Sequence, residues 1–407
     1  MRQTWRWFGP DDPVSVRDAG QAGAEGLVCA LYHIPPGQPW LPDAIAQRQD
    51  EARRAPDGTP SGLEWEVVES IPVSEAIKTQ TGDWQAHIAA WKQSLVNLAE
   101  AGLEVVCYNF MPILDWTRTE HFYPLPHGGT AMAFDLTQFA AFDVHLLKRA
   151  GAEADYDAET LQAAAALVDS FDSEAKMRLT HNIIAGLPGS VETWTIDNFT
   201  RQLAVYAGMT DETLRRHLFA FLEEVVPVAE RLGLRLCAHP DDPPFRLLGL
   251  PKVISTAEDY GQLLDHIPSP ANGMTFCSGS LGSRRDNDVV AIARRFADRI
   301  HFAHLRNVTN WRDQPPNGFL EDNHLDGDVD MVAVLDVLMG EQRRRRTSGR
   351  SDWQIPMRPD HGHELLNDVE RRSRAGYPAI GRLKGLAELR GVMRALGDIP
   401  TGRGFLD

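Results

Sequence analysis

Short apolar runs typical of β-strands alternate with longer segments of helical periodicity along the 407 residues of this chain. A helical or irregular stretch follows each run, and this alternation favours a parallel sheet. Eight strand–helix units favour a closed (β/α)8 TIM barrel over an open sheet. No GxGxxG motif follows the first run, which disfavours a nucleotide-binding doubly wound fold. The eight predicted strands cover residues 26–31, 63–68, 103–110, 182–185, 234–238, 273–277, 300–305 and 354–357.

Capping residues and glycines mark the ends of the predicted helices. Asp83 is predicted to cap an amphipathic helix that ends at Gly102, and Gly233 ends a helix over 211–232. The sequence Ser-Thr-Ala-Glu at 255–258 is a capping box that predicts another helix start. Further helices are predicted over 288–297, 329–342 and 380–396.

One segment breaks this rhythm. Residues 114–177 are rich in aromatic, His and Gly residues at first, and then in Ala and acidic residues. We interpret this segment as a long, partly helical insertion after the third predicted strand. The chain is then one barrel domain over 1–407 that contains the insertion 114–177.

Composition excludes several classes of function. The formal net charge is −16, so nucleic acid is a poor partner, although a metal or a few arginines can still attract a small anion. No apolar run approaches the roughly 18 residues that a membrane helix needs, and the N-terminus has no apolar core of a signal peptide. The four cysteines are scattered without CxxC spacing, which predicts a reducing, cytoplasmic setting.

Four good metal ligands stand at the ends of the last four predicted strands. These residues are His239, Cys277, His304 and Asp360. Because consecutive strands of a barrel are neighbours, the four side chains are expected to converge. Taken singly, each histidine fits a hydrogen-bonded structural role, Cys277 fits packing and Asp360 fits a helix cap. Together they predict a divalent metal site with open positions for substrate oxygens.

Further polar residues surround this predicted site. Arg306 lies two residues beyond His304 on the same strand face, so it could clamp a substrate carboxylate or pair with a loop acid. His361 is a candidate general acid or base, and His363 could support the site from behind. Gly362 between them allows an unusual turn.

Two more groups have alternative interpretations. Asp241 and Asp242 could orient His239 or cap the following turn. Cys237 is two residues before His239, roughly 6–7 Å deeper on the same strand face, so we assign it to the core.

The motifs at these strand ends resemble those of the D-mannonate dehydratase family, metal-dependent lyases of hexuronate catabolism. The similarity spans nearly the whole chain, without a departure at the motif positions. The matching stretches are His239-Pro240-Asp241-Asp242-Pro243-Pro244, Phe276-Cys277-Ser278-Gly279-Ser280, Arg358-Pro359-Asp360-His361-Gly362, Trp65-Glu66-Val67-Val68-Glu69-Ser70, Tyr377-Pro378-Ala379-Ile380-Gly381-Arg382, Tyr108-Asn109-Phe110-Met111-Pro112 and Asp115-Trp116-Thr117-Arg118.

This resemblance implies a barrel of the xylose-isomerase-like type and a Mn²⁺ or Fe²⁺ ion on the four predicted ligands. It implies that His361 and Tyr377 are the acid–base groups, without saying which is the acid. The implied reaction is elimination of water from D-mannonate, which gives 2-dehydro-3-deoxy-D-gluconate in glucuronate catabolism. A small anionic sugar acid is therefore the expected partner, and a homo-oligomer, dimer or higher, is the expected assembly.

Two other functions stay open at this stage. A metal-dependent sugar isomerase or epimerase would use the same barrel and metal without net dehydration. A non-catalytic sugar-acid-binding protein would bind without turnover. A phosphodiester-cleaving barrel is disfavoured by the acidic charge.

Overall fold

The computed structural model describes residues 1–186 and 195–397. Its strands are β1 (Arg2–Arg6), β2 (Gly26–Cys29), β3 (Trp65–Glu69), β4 (Val105–Tyr108), β5 (Glu120–Pro124), β6 (Thr130–Phe134), β7 (Arg235–Ala238), β8 (Asn272–Cys277), β9 (Ile300–His304), β10 (Asn307–Asn310), β11 (Phe319–Asp322) and β12 (Pro356–Arg358). Its α-helices are α1 (Val16–Gln21), α2 (Pro42–Ala52), α3 (Glu75–Thr79), α4 (Trp84–Glu100), α5 (Leu136–Ala140), α6 (Ala158–Ser170), α7 (Ser173–Ile184), α8 (Ile196–Val205), α9 (Asp211–Leu232), α10 (Ala257–His266), α11 (Ser278–Gly282), α12 (Val289–Phe296), α13 (Met331–Thr347), α14 (Asp368–Arg371) and α15 (Ala379–Ala395).

Eight strands close into a parallel barrel, as the alternation of apolar runs predicts. Their order around the barrel is β1-β12-β9-β8-β7-β4-β3-β2. Among the eight barrel strands, each strand is therefore the neighbour of the next barrel strand along the chain. The carboxyl ends of β7, β8, β9 and β12 lie side by side, which is the arrangement expected for the predicted ligands.

The first barrel strand was missed by the prediction. Strand β1 pairs in parallel with both β2 and β12, although its sequence carries two arginines. In the structure these charges have partners, because Arg2 contacts Glu66 and Arg6 contacts Glu69. A charged residue inside a barrel is tolerated when it is paired, and the sequence pattern does not show that pairing.

The predicted strand over 182–185 is wrong, because most of these residues form the last turn of helix α7. Asp172 caps that helix by accepting a hydrogen bond from the backbone N of Ala175. Leu179 and Ile183, one helical turn apart, are buried together in a second apolar cluster. A short apolar run does not distinguish a buried helix end from a strand.

The missed strand β1 and the wrongly predicted strand over 182–185 leave the total at eight strands. They change which barrel strand the insertion follows. The segment that begins after residue 114 follows β4, which is the fourth barrel strand rather than the third. The boundaries 114–177 stay a prediction.

The six predicted helices are present, with two changes at their starts. Asp83 precedes α4 but makes no side-chain capping bond. The capping box of α10 is formed by Thr256 and Asp259, one residue later than predicted. The Ser255 hydroxyl instead donates to Asp241 at 2.8 Å.

A second, antiparallel sheet covers the carboxyl ends of the barrel strands. Its order is β10-β11-β6-β5, so two strands from the segment after β4 join two strands from the segment after β9. Phe134 of β6 stacks on Phe319 of β11 with ring centroids 5.7 Å apart. The sheet thereby brings residues from these two segments over the end where the predicted ligands lie.

The barrel interior is apolar below this end. Cys237 is fully buried in it, which confirms its assignment to the core. The interior cluster consists of Val28, Val67, Val105, Cys107, Cys237 and Phe302. In the part of the chain that the structure describes, no helix is long and apolar enough to cross a bilayer.

Candidate metal centre and active site

Three of the four predicted ligands converge on one point. His239 follows β7, Cys277 ends β8 and His304 ends β9. One ligand atom from each lies within 4.8 Å of the other two, and Cys277 and His304 are fully buried. Among residues 1–186 and 195–397, these three side chains are the one group of His, Cys, Asp or Glu residues with ligand atoms this close together.

Polar contacts orient both imidazoles for metal binding. Nδ1 of His239 donates to the carbonyl of Pro240 at 2.7 Å, which leaves Nε2 without a proton. Nε2 of His304 lies 3.3 Å from a carboxylate oxygen of Glu69, and its Nδ1 lies 3.3 Å from Nη2 of Arg358. A carboxylate behind a ligand histidine fixes the ring in this way at many metal sites. Burial also lowers the pKa of His239, which favours its neutral, ligating form.

One nitrogen of each imidazole faces the other ring. Nε2 of His239 and Nδ1 of His304 are 3.1 Å apart. In the tautomers that leave both nitrogens unprotonated, their lone pairs point at each other, and a cation bound by both relieves the repulsion. The donor set therefore fits a metal ion.

Two donors from Ser280 contact the sulfur of Cys277. The backbone N–H of Ser280 donates to its sulfur at 3.4 Å, and the Ser280 hydroxyl lies 3.1 Å from the sulfur. Hydrogen-bond donors around a thiolate stabilise its charge. Gly279 lies between these residues, and a Cβ there would overlap the Arg306 side chain. The Cys-Ser-Gly-Ser sequence thus fits both the sulfur and the neighbouring guanidinium.

Asp360 lies beside the cluster but is paired with cations. Its Oδ2 is 3.7 Å from the sulfur of Cys277 and 3.7 Å from Nη1 of Arg306, and its Oδ1 contacts Arg358. Burial raises the pKa of Asp360, but the Arg358 guanidinium and its other neighbours outweigh this effect and hold the pKa well below its ordinary value. Its role as the fourth ligand stays a prediction.

The unusual turn after β12 occurs at Asp360 rather than at Gly362. Asp360 has φ of 58°, in the left-handed region that Asp tolerates better than most residues. Gly362 is needed for another reason, since a Cβ there would lie 2.6 Å from the backbone of Gly381. The strained backbone at Asp360 aims its carboxylate at the cluster, as strain at functional sites often does.

Arg306 is held by acids in this structure. Nη2 donates to Asp242 at 2.8 Å, Nε lies 3.3 Å from Glu321, and Nη1 lies 3.1 Å from Nδ1 of His361. Of the two sequence interpretations, pairing with a loop acid is the one that these contacts show. The role of Arg306 as a substrate clamp stays a prediction.

Sequence reasoning assigned no role to Arg118, which completes this network. Its guanidinium donates to Asp242 at 2.8 Å and to Glu321 at 2.6 Å. It is fully buried, with Trp116 and Phe319 packed on it at 4.9 and 4.8 Å. The motif Asp115-Trp116-Thr117-Arg118, one of the stretches that resemble the family, is the sequence feature that could have indicated a role for Arg118.

Arg118, Asp242, Arg306 and Glu321 form a closed ion-pair ring, in which each guanidinium contacts both carboxylates. Burial by itself raises the pKa of Glu321, but the positive charges of Arg306 and Arg118 outweigh burial and lower the pKa to about 2. The same two cations lower the pKa of Asp242 against its burial. Both carboxylates are therefore ionised at neutral pH.

The two predicted acid–base residues contact each other. The rings of His361 and Tyr377 pack edge to face with centroids 5.1 Å apart. Nδ1 of His361 lies 3.3 Å from Glu321, and its Nε2 lies 3.7 Å from Asp360, on the side of the metal cluster. Burial raises the pKa of Tyr377. A buried phenol of raised pKa can serve as a proton donor beside an imidazole that serves as a proton acceptor.

His363 and Asp241, the residues predicted to support the site, lie in different surroundings. Nε2 of His363 donates to the backbone carbonyl of Glu321 at 3.0 Å, so it supports the ion-pair ring from behind. Asp241 accepts from the backbone N of Ile254 at 2.9 Å and from Ser255. It anchors the loop after β7 and does not contact the ring of His239 through any described hydrogen bond.

A family model described as D-mannonate dehydratase (UxuA) matches residues 1–401. The chain belongs to the D-mannonate dehydratase family. It is 56% identical to the mannonate dehydratase of Rhizobium meliloti over 99% of this chain and 98% of that protein. It is 53% identical to mannonate dehydratase 1 of Agrobacterium fabrum over 99% and 100% of the two chains.

A solved structure agrees with this membership. The mannonate dehydratase of Streptococcus suis serotype 2 is 32% identical to this chain, with a TM-score of 0.72 over 97% of this chain and 93% of that one. The prediction of a hydro-lyase of this family is thereby confirmed. The isomerase or epimerase alternative is not favoured. The family is metal-dependent, and the cluster of His239, Cys277 and His304 agrees with that dependence.

Proposed function

We propose that this chain removes water from D-mannonate to give 2-dehydro-3-deoxy-D-gluconate, with Mn²⁺ or Fe²⁺ held by His239, Cys277, His304 and Asp360. One observation carries the proposal: in a chain of this family, three metal donors within 4.8 Å of one another lie beside the His361–Tyr377 pair. When bound, the metal supplies a Lewis acid that stabilises negative charge developing on substrate oxygens.

The proton transfers are assigned to His361 and Tyr377. The C2 proton beside a carboxylate is very weakly acidic, so a base must take it while the developing charge is stabilised. We assign the base to His361, because histidine is the commonest general base in enzymes and its Nε2 lies on the side of the metal cluster. We assign the acid to Tyr377, since its raised pKa keeps the phenol protonated.

The two residues act on adjacent carbons of the substrate. His361 takes the C2 proton, the C3–O bond breaks, and Tyr377 protonates the departing hydroxyl, which leaves as water. The remaining enol tautomerises to the keto acid. Arg306 and Glu321 contact Nδ1 of His361, and its Nε2 lies 3.7 Å from Asp360, on the side of the metal cluster.

The wider setting is also proposed. We place the reaction in glucuronate catabolism in the cytoplasm, where the four free, buried cysteines would stay reduced. A homo-oligomer stays a prediction.

The deciding experiment joins metal analysis to an activity assay. Purified protein is analysed for bound metals, and D-mannonate turnover is followed as keto-deoxy acid formed, with and without chelator. We expect Mn or Fe in the protein and chelator-sensitive product. Substrate consumed without keto-deoxy acid would instead support the isomerase, and binding without turnover in Mn²⁺-loaded protein would support a binding function.

A further inference from the structure

Arg6 is a buried cation with free hydrogen-bond donors at the catalytic end of the barrel. It is the last residue of β1 and is 1% exposed. Its Nη1 forms an ion pair with Glu69. No guanidinium nitrogen of Arg6 has a hydrogen-bond partner among the described residues, so Nε and Nη2 are left without an acceptor. Buried donors without acceptors are costly and rare, which points to a group that arrives with the ligand.

A second free donor lies beside it. The hydroxyl of Tyr32 is buried and has no hydrogen-bond partner in the described part of the chain. The Arg6 guanidinium lies 5.4 Å from the centroid of the Tyr32 ring and 5.0 Å from that of Phe8. Burial raises the pKa of Tyr32, so its hydroxyl keeps its proton and can donate.

These donors adjoin the catalytic pair. Phe8, which packs on Arg6, also packs edge to face on Tyr377 with ring centroids 4.9 Å apart. Glu69, the partner of Arg6, lies 3.3 Å from the metal-ligand candidate His304. The Arg6 guanidinium is therefore separated from Tyr377 by Phe8 and from His304 by Glu69.

Arg6 has more free donors than the arginines around it, since Arg306 has one such nitrogen, Nε, and Arg382 has one, Nη2, among the described residues. Arg306 has Asp242, Glu321 and His361 as neighbours, and Arg358 donates to Glu69 at 2.8 and 3.0 Å. Arg6 and Arg358 share the carboxylate of Glu69, and Arg358 also contacts Asp360. Arg6 is therefore the guanidinium of this group whose Nε and Nη2 have no acceptor among the described residues.

We propose that Arg6, together with the Tyr32 hydroxyl, binds the carboxylate of the sugar-acid substrate. The proposal rests on the proposed function. Nε and Nη2 form a planar fork that matches a carboxylate in a bidentate pair, and the phenol adds a third donor. This subsite selects an aldonate over the corresponding neutral sugar derivative.

The test compares Arg6→Gln with Arg2→Gln in metal-loaded protein. Arg2 lies on the same strand at the opposite end of the barrel, so its replacement removes the same charge away from the site. We expect Arg6→Gln to raise the KM for D-mannonate by about 30-fold or more, since hydrogen bonds to charged groups are strong. Its metal content stays unchanged, and Arg2→Gln stays within about twofold of wild type.

A neutral probe separates charge recognition from structural damage. Inhibition by D-mannonamide, the uncharged amide of the substrate, should change less than about threefold in Arg6→Gln, because the amide lacks the charge. Tyr32→Phe should raise the KM for the acid about 5- to 10-fold, as expected for one lost hydrogen bond. A KM for Arg6→Gln within threefold of wild type would overturn the proposal, and so would equal weakening of acid and amide.

Two further arms keep the outcome decisive. If Arg6→Gln does not fold, Arg6→Lys and Tyr32→Phe are measured in the same way, and acid-selective weakening in them supports the subsite. If wild type does not dehydrate D-mannonate, the proposed function fails separately. Calorimetric titration of D-mannonate into Mn²⁺-loaded wild type and Arg6→Gln then decides the subsite: loss of binding supports it, and equal binding overturns it.

Discussion

Charged residues line both ends of this barrel, but the two ends use them differently. At the carboxyl end, the members of the ion-pair ring are at most 5% exposed. At the amino end, Arg53 and Glu64 are 47% and 56% exposed, and Arg235 pairs with a Glu104 that is 64% exposed. These pairs rim an open cavity of about 460 Å³.

The difference shows what burial does to an ion pair. A buried pair offsets a large desolvation cost only while every partner is present, so losing one partner is strongly destabilising. An exposed pair is screened by water and contributes little. The carboxyl end can therefore fix the positions of Arg306 and His361, whereas the exposed pairs at the amino end mainly keep the barrel rim solvated.

Cys277→Ala should cause the largest loss of function at the carboxyl end. Removing the thiolate leaves the cation under-neutralised, so we expect bound metal and turnover to fall together, with turnover down about 1000-fold. Metal analysis and the dehydration assay measure this. Cys237→Ala is the matched control, a buried cysteine one strand earlier that should keep its metal. Full occupancy with normal turnover in Cys277→Ala would remove Cys277 from the ligand set.

His361→Asn separates chemistry from metal binding. We expect turnover to fall by about 100- to 10,000-fold, the usual contribution of a general acid or base. The metal content should stay at the wild-type level, because the three clustered donors are intact. His363→Asn is the control, and its loss should be much smaller. An unchanged rate in His361→Asn would exclude it from proton transfer.

Arg118→Met tests the buried ring itself. It leaves Asp242 and Glu321 short of one cation, so we expect the free energy of unfolding to drop by about 3–5 kcal/mol. Urea denaturation measures the drop, and turnover should fall with it, because Arg306 loses its fixed partners. A variant as stable and active as wild type would show that the ring is dispensable.

Acidification should act on the same ring. The folded pKa of Glu321, about 2, lies below its ordinary value of 4.5, so its stabilisation is present above pH about 4.5 and is lost as the pH falls toward 2. The stability difference between wild type and Glu321→Gln should therefore be largest at neutral pH, on the order of 3 kcal/mol, and should shrink in acid. A difference that is constant from pH 7 to pH 3 would contradict the lowered pKa.

The amino end should tolerate the loss of a pair. Arg53→Gln removes a cation that is half exposed, so we expect the free energy of unfolding to change by less than about 1 kcal/mol. Turnover should stay at the wild-type level. A loss as large as that of Arg118→Met would mean that burial does not distinguish the two ends.

Much of the fold and part of the site could be predicted from the sequence. Seven of the eight barrel strands appear as apolar runs, and Cys277 and His304 stand at the ends of two of them. The strand β1 could not be found in this way, because Arg2 and Arg6 interrupt its pattern. The partners that neutralise these two arginines come from β3, more than 60 residues away in the chain.

By itself, the sequence determined the barrel and the convergence of three metal ligands. Its apolar runs build parallel strands, and parallel strands end at one rim, so residues at strand ends must meet there. Only the tertiary structure decided which charged side chains form ion pairs with one another. Arg118 contacts Asp242 and Glu321 across 124 and 203 residues of chain, and no local pattern encodes such contacts. Burial then makes these contacts strong, because water no longer competes for the charges.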